Sequence, residues 1–308
     1  MRQLAFTTLV SLIAVSTLSA QTRTIAERLG HPRDAKLLIL HADDLGVAHS
    51  ENAASLDALD KGAINSGSIM IPTPWVTEIV EYAKRNPNAD LGLHLTLNSE
   101  WKTYRWGGTA PRDAVPSLYE PDGTLPSSTD VVAKRAKQDE VERELRAQID
   151  RALALGLRPT HVDSHMAALY ETPELFRTYV KVAREYKLPF LHFIGGLAPA
   201  NAAMLTPNDI VPDAVVMASR MMPPDRWKQY YLDAIRNLKP GLTEFLLHLG
   251  YDDAELRAVT VGWDDYGSKW RQQDYDVLTS PEFKQALKDN GVVLVTWRDI
   301  QKAMYPSP

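Results

Sequence analysis

Asp43 and Asp44 stand side by side where the apolar run Leu37-Leu38-Ile39-Leu40-His41-Ala42 gives way to Leu45-Gly46. A short apolar run of this kind reads as a buried strand. Two adjacent carboxylates stay ionised together only with water, donors or a cation close by. Side chains alternate across a regular strand, so two neighbouring acids can serve one site only if the chain leaves strand geometry there, and Gly46 permits such a turn. Three later runs carry histidines: His94 in Leu91–Leu97, His161 and His165 in His161-Val162-Asp163-Ser164-His165, and His248 after Thr243–Leu247. Two imidazoles and a carboxylate would leave a divalent cation with an open position, the pattern of a catalytic site, where bound water becomes a nucleophile near neutral pH. A second carboxylate could take that water's proton, and a further histidine could protonate a leaving group. Asp44, His94, His165, Asp43 and His248 fill this set, although spacing alone would let Asp43 and Asp44 exchange roles. His161 and His165 share a face in a strand, which leaves His161 open as ligand or support, while Asp163 is suited to orient one of the imidazoles.

These residues need elements to position them. Strand-like runs are expected at 36–42, 66–71, 90–97, 159–164, 189–193, 243–249 and 291–297, and helices at 49–61, 75–86, 137–155, 172–186, 225–238 and 280–289. In 137–155 the apolar positions Val141, Leu145, Ile149, Ala152 and Leu153 recur at helical spacing, and Gly156 supplies a stop. Such alternation predicts an α/β fold with a parallel sheet, a single-domain (β/α) barrel of about seven strands, with a doubly wound open sheet as the competing architecture. Either places the site at the carboxyl ends of the strands, where the acids and histidines lie. A long irregular stretch from Asn98 to Thr129 contains Trp101, Arg105 and Trp106. Aromatic faces interleaved with Arg suit a sugar-binding wall, and a flap packed on the barrel is the equal alternative.

The chain has 308 residues, no cysteine and a formal net charge of −5. The acidic balance argues against nucleic acid as a partner. Any metal site must use imidazole and carboxylate, which suits Zn²⁺, Mg²⁺, Mn²⁺, Co²⁺ or Fe²⁺. Met1-Arg2, an uncharged stretch from Leu4 and the small residues Ser19-Ala20 form a signal peptide over 1–20. Export to the periplasm or beyond follows, with 21–308 as the catalytic domain. The leader is too short and too rich in Ser and Thr for a stable membrane span. A homodimer is an assembly the sequence leaves open.

The motifs Ala42-Asp43-Asp44-Leu45-Gly46, Gly92-Leu93-His94-Leu95 and His161-Val162-Asp163-Ser164-His165, followed by Gly241–His248 and the closing stretch through Val295-Thr296-Trp297-Arg298-Asp299, together resemble the YdjC/ChbG family of carbohydrate deacetylases. The order holds from about 36 to 302. The resemblance implies a distorted, polysaccharide-deacetylase-like (β/α) barrel that binds one divalent metal, Mg²⁺ or Zn²⁺. It implies hydrolysis of N-acetyl groups on amino sugars. It assigns the metal to Asp44, His94 and His165, the base to Asp43 and the acid to His248. In that mapping His161 is a neighbour, counted with Trp101, Arg105 and Trp106 among candidate substrate contacts. Three departures stand out: Met166-Ala167-Ala168 where the family carries more histidines, Leu249 in place of Pro after the late His, and Leu191-His192 where an Arg is expected. The competing functions are a metal-dependent esterase or phosphoesterase and a non-catalytic secreted sugar-binding protein.

Overall fold

The first apolar run forms the centre of a ten-residue strand, β1 (Lys36–Leu45), that organises the whole sheet. The structure is a computed structural model and describes residues 23–306 except 193–197, 220–221 and 264. The expected signal peptide lies outside the described residues. The other strands are β2 (Ser66–Ile69), β3 (Leu91–Leu95), β4 (Val162–Ser164), β5 (Ala214–Val216), β6 (Gly241–Leu247) and β7 (Val292–Leu294). They run in the order β4-β3-β2-β1-β6-β5, with β7 beside β1, and every pairing is parallel. Parallel neighbours need crossovers, which the intervening helices supply. The sheet curls into a partial (β/α) barrel, in agreement with the fold expected from the sequence.

β1 pairs with β6 over Lys36–Ala42, with β7 over Lys36–Leu38 and with β2 from His41 onward. Asn65 bridges the changeover, its Oδ1 accepting from Leu40 N at 2.8 Å and its Nδ2 donating to Val295 O at 2.8 Å. Backbone groups between the end of β7 and the start of β2 are thereby satisfied.

Alternation along β1 sorts its side chains. Leu38, Leu40 and Ala42 join the large core that includes Ala54, Ile79 and Leu145 from the surrounding helices. Leu37 and Ile39 join a smaller cluster with Leu242, Val295 and Trp297 inside the barrel. His41 and Asp43 continue that inner face upward by the period of two. The inner column therefore runs from an apolar plug, through buried polar groups, to the site.

On β3, Gly92 meets the same inner column. A methyl at Gly92 would lie 2.4–2.6 Å from the His161 ring. His161 in turn stacks on Trp297, with ring centroids 4.9 Å apart and planes 19° apart. The imidazole has no room to retreat, so Gly92→Ala is expected to cost about 1–3 kcal/mol, the usual penalty of overpacking. Urea unfolding would check it, and an unchanged midpoint would mean that the ring can shift freely.

Most expected segments are present. The run at 189–193 is the main exception, pairing only through a bridge between Phe190 and Val162 among its described residues. A strand not expected from the sequence, β5, follows Pro212-Asp213; it is three residues long and partly exposed, too short for a readable alternation. The run at 291–297 yields only β7, because Thr296 caps a helix, Trp297–Met304. Among the described residues no helix is long and apolar enough to cross a membrane.

Candidate active site

At the top of β1 the chain leaves strand geometry, as two acids serving one site require. Asp44 has φ 66° and Gly46 φ 97°. The register against β2 slips between Ala42 and Leu45. Asp43 keeps the inward direction set by alternation, and the left-handed turn brings Asp44 round to the same site. The turn is held beyond the acids, where Gly46 N donates to Asn52 Oδ1 at 2.6 Å and Thr73 Oγ1 donates to Gly46 O at 2.7 Å.

Asp44 Oδ1 lies 3.3 Å from His94 Nε2 and 3.2 Å from His165 Nδ1. These three side chains are buried, and one donor atom of each lies within 4.8 Å of the others. Asp44 Oδ1 makes no hydrogen bond. The outer nitrogen of each imidazole is anchored by a carboxylate: His94 Nδ1 is 2.6 Å from Asp163 Oδ1, and His165 Nε2 is 2.9 Å from Glu100 Oε2. Carboxylate support on the far nitrogen is how histidine ligands are oriented towards metals. The donor set therefore fits a divalent cation. Two other buried groups, His41-His161-Asp163 and Asp43-His94-Asp163, come equally close. In both, Asp163 oxygens are already engaged by His94 and His41.

The His94–Asp163 contact follows from the sheet itself, since the two residues are register partners on β3 and β4. Asp163 Oδ2 also lies 3.1 Å from His41 Nε2, and that nitrogen lies 3.1 Å from Asp43 Oδ1. Ser68 Oγ is 3.3 Å from Asp43 Oδ1 and 3.1 Å from His41 Nε2. One Asp43 oxygen is thus held from behind, while the other, Oδ2, lies 3.9 Å from both His94 Nε2 and His248 Nε2. Burial pushes the His94 and His165 imidazoles down, but the surrounding carboxylates override it: His94 is held well above the usual range, and His165 is raised to about 9. Burial pushes the Asp44 carboxyl up, but Arg271 and the two imidazoles hold it well below its usual range.

His248 differs from the two anchored imidazoles. Its Nε2 is 3.9 Å from Asp44 Oδ2 as well as from Asp43 Oδ2, and its Nδ1 has no hydrogen-bond partner. It packs against Tyr266 and Trp270, and its backbone N donates to Asp274 Oδ2 at 3.0 Å. Burial pushes the imidazole down to about 4. At neutral pH it is therefore uncharged.

The model of the YdjC-like protein family matches residues 37–289. The chain belongs to the YdjC-like family. It is similar to a carbohydrate deacetylase of Thermus thermophilus, 32% identical over 288 residues that cover 91% of this chain and 99% of the relative. A carbohydrate deacetylase of Geobacillus stearothermophilus is 28% identical over 86% of this chain and 98% of its own. In fold, the chain is similar to the crystal structure of a proposed cellobiose-phosphate cleavage protein of Enterococcus faecalis, with a TM-score of 0.74, 24% identity, and coverage of 86% and 99%.

Within this YdjC-like barrel some expected contacts move. His161 is fully buried, sandwiched between Gly92, His41 and Trp297, so it supports the barrel interior and cannot line a substrate surface. Arg105 is turned into its own loop, its Nη2 donating to Thr124 Oγ1 at 2.9 Å and Leu125 O at 2.7 Å. Trp101 and Trp106 are buried in the main core, so the 98–129 stretch is first a flap packed on the barrel. The same two rings still border the site: Trp106 is 6.2 Å from the His165 ring, and Trp101 lies under the Arg271 guanidinium at 5.7 Å. Met166 has φ 48° and is 42% exposed, which sets an apolar side chain directly beyond His165. The site's arginine, Arg271, comes from the helix Ser268–Leu278. Arg271, Glu100 and His41 are site-shaping residues that the sequence reading did not single out.

Beneath the site, Glu244 on β6 is fully buried, and neither of its carboxylate oxygens has a hydrogen-bond partner. Burial pushes its carboxyl up to about 8. A raised carboxyl binds its proton more tightly folded than unfolded, so stability falls as pH rises between about 4.5 and about 8. Glu244→Gln, which cannot ionise, is expected to raise Tm at pH 8 by several degrees and to change little at pH 4.5. A gain independent of pH would remove ionisation of Glu244 as its cause.

Proposed function

We propose that this protein is a divalent-cation-dependent hydrolase that removes N-acetyl groups from amino-sugar carbohydrate. The observation that carries the reading is the meeting of Asp44 Oδ1, His94 Nε2 and His165 Nδ1 within 3.3 Å contacts, with Asp43 and His248 beside them and no hydrogen bond to Asp44 Oδ1. The curated relatives named carbohydrate deacetylase, matched over nearly their whole lengths, support the substrate class. A cation held by these three residues would polarise the amide carbonyl and acidify water. Two imidazole donors favour Zn²⁺ over Mg²⁺.

The protein's own groups then have separate tasks. Asp43, fixed through one oxygen by His41 and Ser68, presents the other to take the proton of the attacking water. The new bond joins the water oxygen to the acetyl carbon, and the bond that breaks joins that carbon to the sugar nitrogen. His248, uncharged at rest, lies 3.9 Å from Asp43 and relays the abstracted proton to the departing nitrogen. The products are acetate and a free amine. Trp101 and Trp106 wall the site from below rather than stack on sugar rings.

A phosphoesterase would want uncommitted cationic side chains near the cation, whereas Arg271 is committed to Asp44 and Glu51 and Arg105 to its loop. A sugar-binding protein would have no use for a buried carboxylate poised as Asp43 is. Export through residues 1–20 forms part of the proposal and puts the substrate outside the cytoplasm. The discriminating experiment is acetate release from N-acetylated chitooligosaccharides, compared with hydrolysis of p-nitrophenyl acetate and p-nitrophenyl phosphate. Faster turnover of either nitrophenyl ester than of every acetylated sugar would overturn the amidase reading.

A further inference from the structure

Asp44 is gripped from the side opposite the candidate cation position. Arg271 Nη2 donates to Asp44 Oδ2 at 2.8 Å, and Arg271 Nη1 lies 2.8 Å from Glu51 Oε1. The third guanidinium nitrogen, Nε, donates to Tyr266 O at 2.8 Å, and the plane lies against Trp101. Glu51 and Arg271 are 1% and 2% exposed, so their contact is sealed from water. Gly250, two residues after His248, packs closely here: a methyl on it would lie 2.6 Å from Leu256 Cδ2, 3.2 Å from Arg271 Cβ and 3.3 Å from Glu51 Cγ. One guanidinium, itself packed between Glu51, Trp101 and Gly250, therefore holds one carboxylate oxygen.

We propose that Arg271 and Glu51 form a clamp that makes Asp44 a one-oxygen ligand, reserving Oδ1 for the cation and keeping Oδ2 away from it. The inference rests on the cation-site reading above. A guanidinium is suited to this work because its planar fork fixes one donor on Asp44 Oδ2 and another on Tyr266 O while the remaining nitrogen lies beside Glu51. With Oδ2 occupied, Asp44 cannot close on the cation with both oxygens, and a coordination position stays open for water or carbonyl. Two effects of removing Arg271 oppose each other. Loss of its positive charge alone would strengthen cation binding, whereas loss of the grip would let Asp44 swing. The positional effect is expected to dominate, because Arg271 is the group that hydrogen-bonds Asp44 Oδ2 and so fixes the orientation of the carboxylate. Arg271 and Glu51 are thus positioning residues, acting through Asp44.

The test is calorimetric titration of Zn²⁺ into metal-stripped full-length protein. Arg271→Met is expected to weaken Zn²⁺ binding about 10–100-fold, the usual effect of removing support from a metal ligand. Arg271→Lys should recover part of that loss, and Glu51→Gln should weaken binding less than Arg271→Met. Co²⁺ loaded in place of Zn²⁺ gives a second readout: the visible absorption of the Arg271 variants should weaken as Asp44 adds its second oxygen, a change that a general loss of stability would not produce. The double variant Arg271→Met/Glu51→Gln removes the guanidinium and the ionisable Glu51 carboxyl together and serves if the single variant does not fold. Zn²⁺ affinity equal to or tighter than wild type in folded Arg271→Met or in the double variant would overturn the clamp while leaving the site intact. Wild-type protein that takes up no Zn²⁺ would overturn the cation reading and the clamp with it.

Discussion

Alanine in place of His94 or His165 is expected to abolish retention of a divalent cation. Each imidazole supplies one of three donor atoms that face one another, and the far nitrogen of each is held by a buried carboxylate, Asp163 Oδ1 for His94 and Glu100 Oε2 for His165. Changing a residue that merely supports a ligand costs about 10–100-fold in affinity, so loss of the ligand itself should cost more. The two variants should differ in stability. His94→Ala strips Asp163 of its 2.6 Å partner inside the barrel, which leaves a buried carboxylate oxygen unpaired. His165→Ala exposes Glu100 nearer the mouth, where water can replace the lost contact. Elemental analysis of protein purified with added Zn²⁺ would read the result directly, and undiminished metal in either variant would remove that histidine from the site.

Asp43→Asn should behave in the opposite way, keeping the cation and losing at least about 10²-fold in turnover, the typical worth of a general base. The amide preserves the shape of the side chain and can still meet Ser68 and His41, which hold Oδ1 from behind. It cannot accept the water's proton. Asp44→Asn supplies the contrast, because weakening Oδ1 as a donor should lower cation affinity first. A pair of adjacent acids whose amide variants separate in this way, one losing turnover and one losing metal, would establish unequal roles. Near-normal turnover in Asp43→Asn would exclude it as the base.

Much of this site was legible in the sequence because its chemistry sits at strand ends. Alternation along β1, β3 and β4 places Asp43, His94, Asp163 and His165 on one inner face, and the need for a turn at Asp44, where φ is 66°, could be argued from two adjacent acids serving one site, with Gly46 permitting it. Asp163 was expected to orient an imidazole, and it does. Spacing could not separate Asp43 from Asp44, because their division depends on contacts across the barrel. Arg271 was not legible, since it reaches Asp44 across 227 positions of sequence. Its helix blurs its own signal as well: Ser268, Arg271 and Asp274 are buried on it beside Trp270, Val277 and Leu278, so polar residues interrupt the apolar stripe of the inward face. Glu100 lies at the start of an irregular loop, where no periodicity says which way a side chain turns. The tryptophans of that loop suggested a sugar wall by type, but their burial against the core assigns them first to packing.

The most direct test of the central claim is acetate release from N-acetylated chitooligosaccharides by metal-stripped wild-type protein, measured before and after stoichiometric Zn²⁺ is restored. The account predicts no acetate without the cation and sustained release once it is returned, with Asp43→Asn silent in both conditions despite binding Zn²⁺. Equal release with and without the cation, or none from any acetylated sugar in fully loaded protein, would contradict it.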